Sequence, residues 1–72
     1  MRKKEYTLVG INGNAFVVMG YVFSAMRKEG FSQEEIDAYH KRATSGDYDN
    51  LLHESIDMVD KCNEKRKAAY NG

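Results

Sequence analysis

The apolar run from Ala15 to Met26 decides between two folds. Just before it, Asn12-Gly13 is a strong short-range signal for a β-hairpin, with valines and aromatics on either side. Asn14 equally reads as the cap of a helix that continues toward Gly30. Placed on a helical wheel, Ala15, Phe16, Val18, Met19, Val22, Phe23, Ala25 and Met26 fall within one half of the circumference. Gly20, Ser24, Arg27 and Lys28 fall in the other half, with Val17 and Tyr21 beside them. As a strand, the same run would be apolar on both sides. Its β-branched content favours a strand locally. The coherent helical face, and the basic residues ahead of the glycine in SAMRKEG, favour a helix over residues 14–29. Upstream, EYTLVGI alternates, with Tyr6 and Leu8 on one side and Thr7, Val9 and Ile11 on the other, which predicts a strand over 5–11 with both faces covered.

Further along, FSQEEI contains Ser32 as N-cap and Glu35 three residues later, a capping box, with Phe31 and Ile36 placed to form a hydrophobic staple. A helix over 32–45 follows, with Ile36, Tyr39, His40 and Ala43 on one face and a stop in TSG at Gly46. A third helix over 48–66 starts in GDYDNLL, where Asp47 or Asp49 can cap it. Leu52, Ile56, Val59 and Asn63 form one row of that helix, with Leu51, Ser55, Met58 and Cys62 beside it. Residues 1–4 read as a basic arm and 67–72 as a mobile tail. The predicted fold class is mainly α with one short β-strand, a β-α-α-α order in a single compact three-helix domain. A lone strand leaves its backbone without a ladder, which is costly when buried. Pairing with the strand of a second copy answers this, and an extended arm bonded to water and side chains is the less demanding answer. Tyr6 and Leu8 are the interface candidates on the strand. Gly20, Tyr21 and Ser24 are those on the first helix, where small residues four apart admit a close neighbour.

At 72 residues the chain buries a marginal core. Cys62 is the only cysteine, so no disulfide forms within the chain, in keeping with a reducing compartment. Self-association is then the remaining staple, and a homo-oligomer is expected. One cysteine and two histidines, His40 and His53, make a zinc site improbable, and no metal or cofactor is expected. TLVGING is too short and glycine-rich for the apolar region of a secretion signal, and Ala15–Met26 is too short to span a membrane. A soluble cytoplasmic protein without membrane partners is the expectation. Net charge is zero but segregated: +4 over residues 1–28, −7 over 29–60 and +3 over 61–72. That pattern suits docking or a solvated surface better than a nucleic-acid mimic or a strongly basic binder, so RNA or DNA is not favoured as a partner.

Two loops rich in Gly, Asn and Asp carry the binding candidates. GINGNA precedes a helix, where free N–H groups and the dipole favour an anion, although it matches neither a dinucleotide fingerprint nor a P-loop. TSGDYDNLL offers Ser45, Asp47, Asp49 and a tyrosine able to stack on a planar ligand. Both loops read equally well as turns and caps. HESID only resembles a zinc-hydrolase motif, lacking the second histidine and a third ligand. A Ser55/His53/Asp57 triad has no nucleophile elbow, and Cys62 sits on an apolar row near Asp60, so an enzyme is not expected.

The segments NGNAF, AMRKEGFSQEEID and ATSGDYDNLL together resemble a family of small, mostly uncharacterised bacteriophage and prophage proteins. The family pattern is D/N-G-N-A-F, a helix, a basic stop ending in glycine, then A-T-S-G-D-Y-D-x-L-L. The likeness spans roughly residues 6–59, with Asn12 where the family more often has aspartate; that change removes a carboxylate and weakens any metal site. The resemblance implies a strand–loop–helix at NGNAF and no settled activity. It implies a context in which small non-catalytic phage proteins bind host machinery or immune components. The ligand-binding candidates are Asn12, Gly13, Asn14, Phe16, Ser45, Gly46, Asp47, Tyr48 and Asp49, with Ala15 inside the first motif.

The expected function is a non-enzymatic phage-type accessory protein that neutralises a host defence factor in the host cytoplasm. One mechanism encloses a small nucleotide-like anion between the two loops of a homo-oligomer, with Tyr48 or Phe16 stacked on the base. The alternative is a protein–protein inhibitor that binds a host enzyme or nuclease complex through the acidic helical surface. RNA or DNA binding through the basic ends is a third reading.

Overall fold

Asparagine side chains settle the contested N-terminal stretch. The Asn12 Oδ1 accepts from the Asn14 amide at 2.8 Å, and the Asn14 Oδ1 accepts from Phe16 N at 2.8 Å. The first bond makes a local Asx turn and the second caps a helix, so Asn12-Gly13 leads into helix α1 (Ala15–Lys28) instead of turning a hairpin. The tight turn lies earlier, at Leu8–Ile11, where Ile11 N donates to the Leu8 carbonyl at 3.1 Å and Gly10 takes φ +83°.

The structure, a computed structural model, describes residues 6–71, with side chains for 6–68. α1 ends in a Schellman arrangement: Phe31 N donates to the Met26 carbonyl and Gly30 N to that of Arg27, with Gly30 at φ +83°. Helix α2 (Gln33–Ala43) opens on the predicted capping box, the Ser32 hydroxyl accepting from Glu35 N while the Glu35 carboxylate accepts from Ser32 N. It closes through Thr44 and Ser45, whose hydroxyls donate to the His40 and Arg42 carbonyls at 2.8 Å. Helix α3 (Tyr48–Asn71) starts on Asp47, whose carboxylate accepts from Asn50 N at 3.0 Å. None of the helices in the described residues is long and apolar enough to cross a membrane.

The helices run up, down and up. Tyr48 at the start of α3 bonds the Gly13 carbonyl, and Arg66 near its other end faces Glu29 at 3.8 Å, so α1 and α3 are parallel. α2 runs antiparallel to both, tied to α3 by an Arg42–Glu54 pair at 3.0 Å. Val22, Met26, Tyr39, Ser55 and Cys62 are the most deeply buried side chains. Ser55 is tolerated there because its hydroxyl is 2.7 Å from that of Tyr39, which satisfies both polar groups. The Phe23 ring stands edge-on to Tyr39, with centroids 5.7 Å apart.

Residues 6–14 return along the seam between α1 and α3 as an extended arm, and the predicted strand over 5–11 is not formed among the described residues. The physical reason is a side chain. The Asn63 carboxamide accepts from Tyr6 N at 2.8 Å and donates to the Tyr6 carbonyl at 2.9 Å, replacing one rung of a ladder. The Tyr21 hydroxyl accepts from Thr7 N at 2.9 Å. The arm therefore finds partners within its own chain, and the strand-to-strand pairing between subunits loses its rationale. Tyr6 and Leu8 pack on the core instead.

Three finer expectations also change. α3 continues to Asn71, past the predicted end at Arg66, because Lys65–Ala69 are strong helix formers and no breaker interrupts them; residues 67–71 are thus helical where a tail was expected. The buried row of α3 is Leu51, Ser55, Met58, Val59 and Cys62, leaving Ile56 exposed. Phe16, expected on the core face of α1, is 79% exposed. The basic arm at residues 1–4, the first residue of the predicted strand, Glu5, and Gly72 lie outside the described residues.

The two-pronged contact of Asn63 makes it the most consequential half-buried polar side chain. Asn63→Ala is expected to lower stability by about 1–2 kcal/mol and to speed proteolysis within residues 6–11, read by urea denaturation and limited digestion. Unchanged stability and an unchanged digestion pattern would show that the arm is held by apolar contact alone.

Candidate functional site

The two polar loops do meet. Because α1 and α3 are parallel, their N-termini lie at the same end of the bundle, joined by the Tyr48 hydroxyl donating to the Gly13 carbonyl. Glycine at position 13 eases this approach, since a Cβ there would lie 3.3 Å from the Tyr48 oxygen, which would have to shift slightly. Gly46 plays the same part in the second loop, where a Cβ would come within 3.0 Å of Asn50. The Asn50 side chain in turn donates to the Arg42 carbonyl at 2.8 Å, closing the end of α2.

Most candidate polar groups at this end already have partners. Asn12 and Asn14 hold backbone amides, Ser45 donates to Arg42, and Asp47 caps α3. Asp49 is exposed in the first turn of α3. Phe16 and Tyr48 stay exposed, Tyr48 to 43%. The N-terminal amides of α1 favour an anion, but Phe16 N is occupied and Asp47 and Asp49 start the neighbouring helix. The geometry at this end is that of a brace between helices.

Of the interface candidates, Tyr6, Leu8 and Tyr21 are half-buried and used within the chain. The Tyr6 hydroxyl donates to Glu29, and the Arg66 guanidinium stacks 5.6 Å from its ring centre. Burial first, and the bond to Glu29 second, push the Tyr6 phenol above its ordinary value. Gly20 and Ser24 remain outward on α1, with open space over Gly20.

A concavity among the described residues lies elsewhere, in a groove of about 400 Å³ between the arm and α3. Tyr6 to Val9 form one wall, and Ile56, Val59 and Asp60 form the other. Val9 is 86% exposed and Ile56 53%, so each lip carries an apolar side chain in water. Sequence reasoning missed this site because it set Ile56 in one of two adjacent rows of α3 without deciding which row is buried. The signal was present in the doubling of that row, since a helix touching two neighbours cannot bury both stripes and the flank of each.

The Ser55/His53/Asp57 triad does not assemble. Ser55 is fully buried against Tyr39, whereas His53 and Asp57 are exposed. Among the described residues, no three of His, Cys, Asp or Glu converge as a metal site would require. The Cys62 thiol is fully buried and pushed up to about 11, first by desolvation and then by the Glu29 charge.

Comparisons with family models, with curated proteins and with solved structures return no match to this chain.

The raised thiol has a consequence for stability. Between about 9 and about 11 the unfolded chain has lost the Cys62 proton while the folded chain keeps it. Stability is therefore full below pH 9 and falls as pH rises through this window, with the raised Tyr6 and Tyr39 phenols adding to the fall above about pH 10. Urea midpoints measured from pH 8 to pH 11 should fall, and Cys62→Ala should shallow the lower part of that fall. A flat profile would contradict the assignment. At neutral pH the native thiol should also resist a disulfide reagent that labels the unfolded chain rapidly.

Proposed function

We propose that this chain is a non-enzymatic accessory protein of phage type that neutralises a host protein by docking an apolar segment of it in the groove between the arm and α3. The observation that carries this reading is the pair of exposed apolar lips, Val9 and Ile56, on either side of a groove whose remaining lining is Tyr6, Thr7, Leu8, Val59 and Asp60. Large apolar side chains facing each other across an open groove are a common mark of a protein-binding surface. Asp60 on the rim, with Asp57 one turn earlier, favours a partner that flanks its apolar residues with Lys or Arg. The likeness to phage proteins supports a host factor, such as a defence enzyme in the host cytoplasm, as the target. Sequestration of a nucleotide-like anion at the NGNAF and SGDYD loops is the weaker mechanism, since those side chains hold the loops themselves.

The test compares the wild-type chain with Ile56→Lys as baits for bacterial lysate, followed by titration of the identified partner. Ile56→Lys should weaken binding by about 2 kcal/mol, a roughly thirtyfold change in Kd, with no loss of helicity. Equal recovery by both baits would reject the groove. A nucleotide that raises stability by about 2.7 kcal/mol at 100 times its Kd would move the function to the loops.

Self-association is a second reading, now supported by α1 rather than by a strand. Phe16, Val17, Gly20 and Ser24 form an outward strip with two exposed apolar side chains and an open glycine between them and Ser24. Sedimentation should show a concentration-dependent dimer that Gly20→Arg converts to monomer without unfolding, because a side chain at Gly20 meets nothing within its own subunit. A wild-type monomer at all concentrations would remove this reading.

A further inference from the structure

Five asparagines occur in the chain, and their surroundings differ sharply. Asn50 and Asn63 lie within α3, precede Leu51 and Glu64, and donate their side-chain amides to carbonyls. Asn14 precedes Ala15 at a helix start. Asn71 is the last residue of α3 and precedes Gly72. Asn12 alone among the described side chains combines an exposed carboxamide, a non-helical backbone and a following glycine. Glycine matters because its lack of a Cβ leaves its amide nitrogen open to approach and its backbone free to turn. The Asx turn adds orientation. With its Oδ1 on Asn14 N at 2.8 Å, the Asn12 side chain is folded forward over the Gly13 peptide. That hydrogen bond also withdraws electron density from the side-chain carbonyl carbon that Gly13 N would attack.

We infer that Asn12 is a self-modification site, whose side-chain amide is lost to water through a cyclic imide with Gly13. Gly13 N gives up its proton to hydroxide and forms a bond to Asn12 Cγ. The Cγ–Nδ2 bond breaks, and ammonia leaves with a proton from water. One water then opens the ring. Cleavage between Gly13 N and Cγ yields aspartate; cleavage between Gly13 N and the Asn12 main-chain carbonyl yields isoaspartate. Nothing is oxidised or reduced, and hydroxide and water are the sole co-reactants.

The position of this residue gives the change a structural effect. Either product places a new carboxylate at the end of the bundle that already carries Asp47 and Asp49. Isoaspartate also lengthens the main chain by one carbon just before Gly13, whose carbonyl receives the Tyr48 hydroxyl. The modified chain should therefore loosen the tie between the starts of α1 and α3 while leaving the far end, at Glu29 and Arg66, intact. This inference is independent of the groove.

The full chain, folded and then denatured in urea, is aged in warm, mildly alkaline buffer. Peptide mapping follows the amide-to-acid mass gain, and a protein isoaspartate methyltransferase with labelled methyl donor reports the rearranged product. Asn12 should convert in the folded chain at a rate comparable to that in urea, with methyl label on the same peptide, while Asn14, Asn50 and Asn63 keep their amides. Asn12→Gln and Gly13→Ala should each lose the conversion at this peptide. Asn12→Gln guards against a folding defect in the glycine variant. In the aged wild type, hydrogen exchange should rise in the first turns of α1 and α3 and stay unchanged around Glu29. Retention of the Asn12 amide in the folded chain while the denatured chain converts would overturn the inference. So would conversion confined to Asn71, or equal loss at Asn50 and Asn63.

Discussion

One carboxamide does the work of a strand partner. Asn63 both donates to and accepts from the main chain of Tyr6, closing the seam between α1 and α3 from outside. An amide side chain has the same donor and acceptor pair as a peptide unit, so it can satisfy an extended backbone where no second strand exists. With Tyr6 held, Leu8 covers the core and Val9 is left standing in water opposite Ile56. The groove exists because the arm is fixed on α3 at one end and turned by Gly10 at the other.

The same economy appears inside. Tyr39 and Ser55 each present a hydroxyl that would be costly alone in an apolar interior, and each satisfies the other. The pair couples α2 to α3 with a directional contact where the remaining core contacts are non-directional. A short helix such as α2, with one thin apolar stripe, gains position from that bond as well as from burying Ile36 and Ala43.

What the sequence revealed and what it hid divide by distance along the chain. The Asn14 cap, the Ser32–Glu35 box, the Gly30 stop and the Asp47 start all depend on bonds spanning a few residues, and each was legible. Asn63 and Tyr6 are 57 residues apart, and Tyr48 and Gly13 are 35 apart, so no local pattern announces either contact. Alternation in EYTLVGI predicted a strand where the chain instead turns at Leu8–Ile11, and it could not show what would bond Tyr6. The inward face of α3 is left open between two rows for a related reason. Ser55 counts as polar in any periodicity, and only its partner on α2 makes the row containing it the buried one. Whether the loops at Asn12–Phe16 and Ser45–Asp49 come together was open in the sequence; a tyrosine hydroxyl ties them.

Chain order gives the arm a further property. Residues 6–8 leave the ribosome long before the side chain that anchors Tyr6, which lies 57 positions later. Local helices form quickly, while contacts that close long loops come late. During synthesis α1 and α2 therefore emerge with the seam beneath Tyr21 uncovered until α3 is nearly complete. For that interval the nascent chain displays an apolar stripe that the anchored arm and α3 later hide.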